Sequence, residues 1–340
     1  MKKVVKFFAQ TLTASLIAGA LGFSGVANAQ EKILKFSVQN PKGHPIAMGA
    51  EKFAEVVNSN AAGKMKVVVY AGGSLGGDQQ VVSAMQGGTV EMLVMNSGIA
   101  ANQVKEFAIW DFPFLFANEK EADAVLDGPF GKKMHDKLEA KGLVGLGYWE
   151  LGFRNITNSK RPINKVEDLA GLKLRVIPNP INIDWVKALD ANPTPLPFPE
   201  VYGALENKAI DGQENPFSVI AANKLFEVQK YLAITKHVYN PQSVLISKKT
   251  WDSLSKEQQK ILQNAVAEVT PYQRAQSRAS VAESLDQLKK GGMQVTEFND
   301  AELAKFREKM RPVIAKFGDA VGEDVVKEIQ AEIAKARAKK

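Results

Sequence analysis

Two successive runs of alternating strand and helix patterns, divided near Asn158, constrain this chain more than any other feature. Leu34, Phe36 and Val38 alternate with Lys35, Ser37 and Gln39, the period of a strand with one buried face. Residues 66–70 and 89–95 read as further strands, and Ala50, Phe53, Ala54 and Val57 supply helical spacing between the first two. Such a β-α-β-α order packs helices against a largely parallel sheet. Because it restarts after Asn158, two α/β lobes are expected rather than one sheet. From Trp251 to about Lys290 the period is helical and the residues charged, with Pro271 expected to kink the helix or divide it in two. A helix of that length can bridge both lobes.

The first residues belong to a different problem. Lys2, Lys3 and Lys6 form a basic start, residues 12–26 are apolar but too short and Gly/Ser-rich for a confident membrane span, and Ala27-Asn28-Ala29 is a small-x-small cleavage site. Residues 1–29 therefore read as an export signal, with the mature chain beginning at Gln30 and a periplasmic location expected. The junction carries no cysteine, so no lipid anchor is expected by that route, and no direct membrane insertion. Removing 29 of 340 residues leaves 311, more than one core comfortably serves and enough for two lobes. The chain has no cysteine, which excludes disulfides, thiolate metal sites and cysteine nucleophiles together. Its formal charge of +7 falls to +4 with the three leader lysines, and the remaining basic residues are scattered among acids, so no nucleic-acid partner is expected.

Residues 148–217 concentrate the polar chemistry. Leu172, Leu174 and Val176 alternate with Lys173 and Arg175, and Pro178 and Pro180 then stop the strand. Arg175 is thus expected near a strand's C-terminal end, pointing away from the apolar face, where open α/β sheets place ligands. A guanidinium suits a carboxylate, because its planar fork makes two parallel charge-assisted bonds. On the first lobe, Asp78 follows a glycine-rich turn and could accept from ligand hydroxyls, or equally cap a helix starting near Gln79. His44 follows the first strand and could donate to a sugar oxygen. His135, in a charged helix, is expected to be solvated.

Several motifs in order resemble the substrate-binding proteins of tripartite ATP-independent periplasmic (TRAP) transporters: GGSLGGD at 72–78, DFPFLF at 111–116, GLKLRV at 171–176, the proline-rich segment 194–205 and DGQENP at 211–216. The resemblance covers essentially the whole mature chain. It implies a two-lobed α/β periplasmic binding protein with a long kinked helix spanning both lobes, lobe one being 30–151 plus 240–280 and lobe two 152–239 plus 281–340. It implies a ligand in the cleft, membrane subunits as partners, a monomer, and no enzymatic activity or cofactor. By the same resemblance Arg175 matches the carboxylate-binding arginine, Arg154 a second arginine, Asn215 an amide on the same carboxylate and Phe198 an aromatic against the ligand body, with His237 at a position that looks structural. Gln39, His44, Asp78 and Asn96 are the lobe-one candidates. Sialic-acid-binding members carry glutamate where this chain has Asn96, while YWELGFRNITNS and PNPINI look closer to members that bind sugar acids such as diketogulonate or hexuronates. A sugar acid is therefore expected, with a C4-dicarboxylate or a sialate as alternatives.

One rival class and one alternative within the binding class compete with this reading. Gly72-Gly73-Ser74-Leu75-Gly76 fits G-x-S-x-G, for which Asp211 and His237 could complete an exported serine hydrolase; no oxyanion-hole motif accompanies it. An ABC-type receptor shares the two-lobed plan, but the long helix near 251–290 argues against it. No Gly-Lys-Ser/Thr follows these glycines and no His/Asp/Glu set has metal-ligand spacing, so neither a phosphate loop nor a metal is expected.

Overall fold

The computed structural model describes residues 31–338; the expected signal segment 1–29 lies outside the described residues. Its strands are β1 (Lys32–Val38), β2 (Met65–Tyr70), β3 (Met92–Asn96), β4 (Leu143–Phe153), β5 (Asn155–Asn158), β6 (Lys173–Val176), β7 (Asn192–Pro195), β8 (Gly212–Asn215), β9 (Tyr231–Ile234), β10 (Tyr239–Ser247) and β11 (Gln294–Glu297). They form two sheets, ordered β2-β1-β3-β10-β4 and β11-β9-β5-β8-β6-β7. β1 is parallel to β2 and β3, as a β-α-β progression requires, while β10 runs antiparallel between β3 and β4. The second sheet mixes parallel pairs, β6 with β7 and β8 and β11 with β9, with antiparallel ones at β5.

Two adjacent stretches carry the chain between the sheets. One is Arg154 alone, between β4 and β5; the other is 235–238, between β9 and β10. They are tied to each other by Arg154 N donating to Val238 O (2.8 Å) and by Thr235 N and Lys236 N donating to Asn155 Oδ1 (3.1 Å each). The third crossing is the helix Lys256–Lys290, 35 residues long and unbroken through Pro271. It does not divide at the proline. A reciprocal capping box starts it, Ser255 Oγ accepting from Gln258 N (3.2 Å) while Gln258 Oε1 accepts from Ser255 N (2.9 Å), and Lys289 and Lys290 suit the negative end of its dipole. Gln273 pins its middle to the first sheet, receiving Glu150 N (2.8 Å) and donating to Glu150 O (2.9 Å). From there the helix ends where β11 joins the second sheet.

A core of Leu34, Phe36, Phe53 and Trp149 fills one face of the first sheet. A larger cluster is continuous from its other face, through Trp110 and Phe112, to Val176, Ile181 and Trp185 beneath the second sheet and Phe306 of the C-terminal helices. His135 belongs inside this packing, contrary to the expectation of a solvated side chain. Its ring is 6 % exposed, stacks on Tyr148 at 3.8 Å and meets Ser243 Oγ at 3.0 Å, because only the opposite face of its helix is charged. No described helix is long and apolar enough to cross a membrane.

Candidate functional site

A cavity of about 430 Å³ lies between the sheets. Arg175 enters it from the C-terminal end of β6, as its strand position implies. Its side chain is 2 % exposed, however, and not on a solvated face. Nε and Nη2 both donate to Leu196 O, at 2.9 and 2.7 Å, which fixes the guanidinium plane on the proline-stiffened segment after β7. Of its five N–H groups, the two on Nη1 and one on Nη2 keep no protein acceptor, and these are the end-on fork a carboxylate uses. The guanidinium carbon stands 5.9 Å from the centre of the Phe198 ring. Burial lowers the Arg175 pKa to about 10, so it remains a cation.

Arg154 lies on the same cavity wall but is committed differently. Nε is bonded to Glu214 Oε2, Nη2 donates to Glu214 Oε1 (2.8 Å) and to Glu214 O (2.5 Å), and Nη1 reaches Asn240 Oδ1 (3.3 Å). One N–H is left. Burial alone would raise Glu214, but the guanidinium and the neighbouring His237 override it and hold the carboxyl near 2. The pair is therefore charged and internally neutral. Asn215 follows at the end of β8, its Nδ2 donating to Gln213 Oε1 at 2.6 Å.

The opposite wall comes from the first sheet. Gln39 closes β1, Asn96 closes β3, and Asp78 begins the helix Asp78–Gly87; Asn240 and Gln242 come from β10. Gly77 is the N-cap and makes no side-chain cap bond, so Asp78 is a first-turn residue and not the cap. The turn before it leans on the second lobe, since a Cβ on Gly73 (φ +68°) would stand 3.2 Å from the Pro199 ring. Four buried atoms of this wall lack a protein partner: Gln39 Oε1, Asp78 Oδ1, Asn96 Nδ2 and Asn240 Nδ2. Their amide orientations follow from their other ends, because Gln39 Nε2 donates to Gly76 O (2.9 Å), Asn96 Oδ1 accepts from Gly98 N (2.6 Å) and Asn240 Oδ1 from Gln242 Nε2 (3.0 Å). The result is two donors and two acceptors that cost free energy unless paired. Burial pushes the Asp78 carboxyl up to about 7, against the opposing pull of Arg175 and Gln39.

Seven of the eight expected site residues thus line one cavity: Gln39, Asp78, Asn96, Arg154, Arg175, Phe198 and Asn215. His44 does not. Its Nδ1 accepts from Ile46 N (3.1 Å) as the cap of the helix Pro45–Asn60, and its Nε2 meets Ser218 Oγ (3.3 Å), so both ring nitrogens are occupied within a fully buried setting. Glu214, Asn240 and Gln242 were not anticipated. Glu214 stands inside the quoted DGQENP motif, but a carboxylate's burial is not visible in sequence, and Asn240 and Gln242 sit on a strand borrowed from late in the chain. The hydrolase constellation is not assembled: Ser74 is exposed on its turn, while His237 is buried between Trp185 and Phe306 with Nδ1 on Thr235 Oγ1 (2.8 Å), and Asp211 Oδ2 accepts from Lys173 N (2.9 Å). Among the described residues no group of His, Asp and Glu is arranged to hold a metal.

Comparison with known proteins identifies the family. Residues 36–320 match the family described as bacterial extracellular solute-binding protein, family 7. The 2,3-diketo-L-gulonate-binding periplasmic protein YiaO of Escherichia coli is 37 % identical over 282 residues, 83 % of this chain and 86 % of its own. Among solved structures, the sugar acid binding protein DctPAm of Advenella mimigardefordensis in complex with galactonate superimposes with a TM-score of 0.88 at 42 % identity, covering 90 % of this chain and 99 % of that one. A TRAP periplasmic solute binding protein of Polaromonas bound to D-erythronate gives a TM-score of 0.85 at 38 % identity over 88 % and 98 %. The chain belongs to the family 7 solute-binding proteins of TRAP transporters.

Proposed function

We propose that this family 7 receptor captures a monocarboxylate carrying several hydroxyls, a sugar acid of the aldonate or hexuronate kind, and delivers it in the periplasm to the membrane subunits of a TRAP transporter. One observation carries the reading: the cavity offers a single uncommitted guanidinium fork, that of Arg175, because Glu214 consumes the charge and three donors of Arg154 and Asn240 takes a fourth. One carboxylate is accommodated. A second would meet Asp78 and no further cation, since no lysine lines the cavity. Asn215 and the remaining Arg154 N–H supplement the carboxylate, Phe198 covers the ligand body, and Gln39, Asp78, Asn96 and Asn240 supply the mixed donors and acceptors that hydroxyls satisfy from both directions. The names of the sugar-acid-binding relatives support the same class.

The ligand is held from both sides, so capture requires the lobes, 30–151 with 240–280 and 152–239 with 281–340, to close as units about the paired crossings at Arg154 and 235–238. A thermal-shift screen over aldonates, hexuronates, C4-dicarboxylates and neutral hexoses tests the reading. A true ligand at a hundred times its dissociation constant stabilises by about 2.7 kcal/mol through mass action. Stabilisation confined to succinate, malate or fumarate refutes the monocarboxylate assignment, and equal stabilisation by neutral hexoses refutes the role of Arg175.

A further inference from the structure

Beside the cavity, a buried polar cluster joins the two lobes without belonging to the ligand wall. Asn179, three residues beyond the end of β6, places Nδ2 between Gly98 O (2.9 Å) and Asp111 Oδ2 (3.0 Å). Asn182 brings a second amide to the same carboxyl oxygen at 2.8 Å, and Trp185 Nε1 holds Asn182 Oδ1 at 3.0 Å. Gly98 and Asp111 belong to the segment that follows β3 in the first sheet, whereas Asn179 and Asn182 follow β6 in the second. Asp111, Asn179 and Asn182 are at most 4 % exposed. The fit is close: a Cβ on Gly98 would fall 2.2 Å from Asp111 Oδ2, so only glycine lets the carboxyl lie against that backbone.

A carboxyl buried across an interface and met by amides, with no cation in contact, adds little net stability; what such a group can supply is a unique register. Burial raises Asp111 to about 6, the amides of Asn182 and Asn179 pulling the other way. Asn179 is four residues from Arg175 and stands between Pro178 and Pro180, so its anchorage is transmitted to the carboxylate fork with little slack. Pro178 O is gripped from the first lobe as well, by Gln79 Nε2 (3.4 Å) and Asn102 Nδ2 (3.3 Å). We infer that Asp111 and Asn179 form an interlobe clasp that fixes the angle at which Arg175 meets the lobe-one wall, which makes Asn179 a positioning residue for ligand capture. The inference rests on reading the cleft as a carboxylate site.

The test compares wild type, Asn179→Asp, and the exchange Asp111→Asn with Asn179→Asp. Asn179→Asp removes the donor and faces one carboxyl with another, while the exchange restores a donor and acceptor between the two side chains but leaves Gly98 O without its amide donor. D-galactonate titrations and dissociation rates are read together with interlobe distances between spin labels on Glu55→Cys and Glu206→Cys, two exposed positions in a chain free of other cysteines. Asn179→Asp is expected to weaken binding about tenfold or more, mainly by faster dissociation, and to broaden the ligand-saturated distance distribution; the exchange recovers part of both, the contact to Gly98 O remaining lost. Binding within about threefold of wild type for Asn179→Asp, or a loss the exchange does not recover even in part, overturns the clasp. Should wild type not bind D-galactonate, that one ligand is excluded and the thermal-shift screen decides the sugar-acid reading separately. The ligand-free distance distributions then decide the clasp, which requires Asn179→Asp to shift or broaden them and the exchange to restore them in part; unchanged distributions refute it.

Discussion

Replacing Arg175 with lysine keeps a cation in the cavity and removes its geometry. In the wild type, two N–H groups hold Leu196 O at 2.9 and 2.7 Å and the other three, on a residue that lines the cavity, have no protein acceptor. An ammonium on a flexible stem cannot serve both directions, so either Leu196 O or one carboxylate oxygen of the ligand loses its donor. Truncating one partner of a buried, hydrogen-bonded charge pair costs about 2–5 kcal/mol. Because the charge is retained, the low end applies, about 2–3 kcal/mol or roughly 30- to 150-fold in affinity. Calorimetric titration with the sugar acid that gives the largest thermal shift measures this directly, with circular dichroism and a urea melt showing that Arg175→Lys remains folded. An affinity within threefold of wild type would show that the carboxylate is held elsewhere, and the argument from the uncommitted fork would fall with it.

Arg154 should respond in the opposite way, through stability first. Arg154→Met leaves Glu214 buried and uncompensated, at a cost of about 3–5 kcal/mol in urea-measured stability, and adding Glu214→Gln should recover part of it; no recovery would deny the pair its role. Glu214 also sets a pH dependence. Its folded pKa is depressed from 4.5 to about 2, so the stability it contributes is fully present above 4.5 and is lost as pH falls toward 2. Urea midpoints should therefore drop more steeply over that window in wild type than in Glu214→Gln, and parallel slopes would contradict the assignment. Small-angle scattering should show a smaller radius of gyration on adding the true ligand, and Arg175→Ala should abolish the change at concentrations that saturate wild type. An unchanged wild-type radius at proven saturation would mean a preformed cleft.

Much of the site was legible in sequence because it is built from strand ends and turns, whose residues announce themselves. The alternation through Leu174 and Val176 and the stop at Pro178 put Arg175 at the end of β6, and the glycine-rich turn put Asp78 at the mouth of a helix. The order of strand and helix patterns was enough to determine two α/β lobes and a helix long enough to bridge them, while its spanning of both came from the family resemblance. Tertiary packing decided the rest, since it turns on which groups end up sharing one dry space. His44 reads as a ligand donor until the fold spends both its nitrogens on Ile46 and Ser218. His135 reads as solvated until its helix lies down on Tyr148. Arg154 and Arg175 are both ligand candidates along the chain, yet burying Glu214 beside one and only the Leu196 carbonyl against the other makes the first a neutral pair and leaves the second with its outer fork unspent. That distinction depends on desolvation and on which donors remain unspent, and both are properties of a three-dimensional neighbourhood assembled from residues between 21 and 60 positions apart.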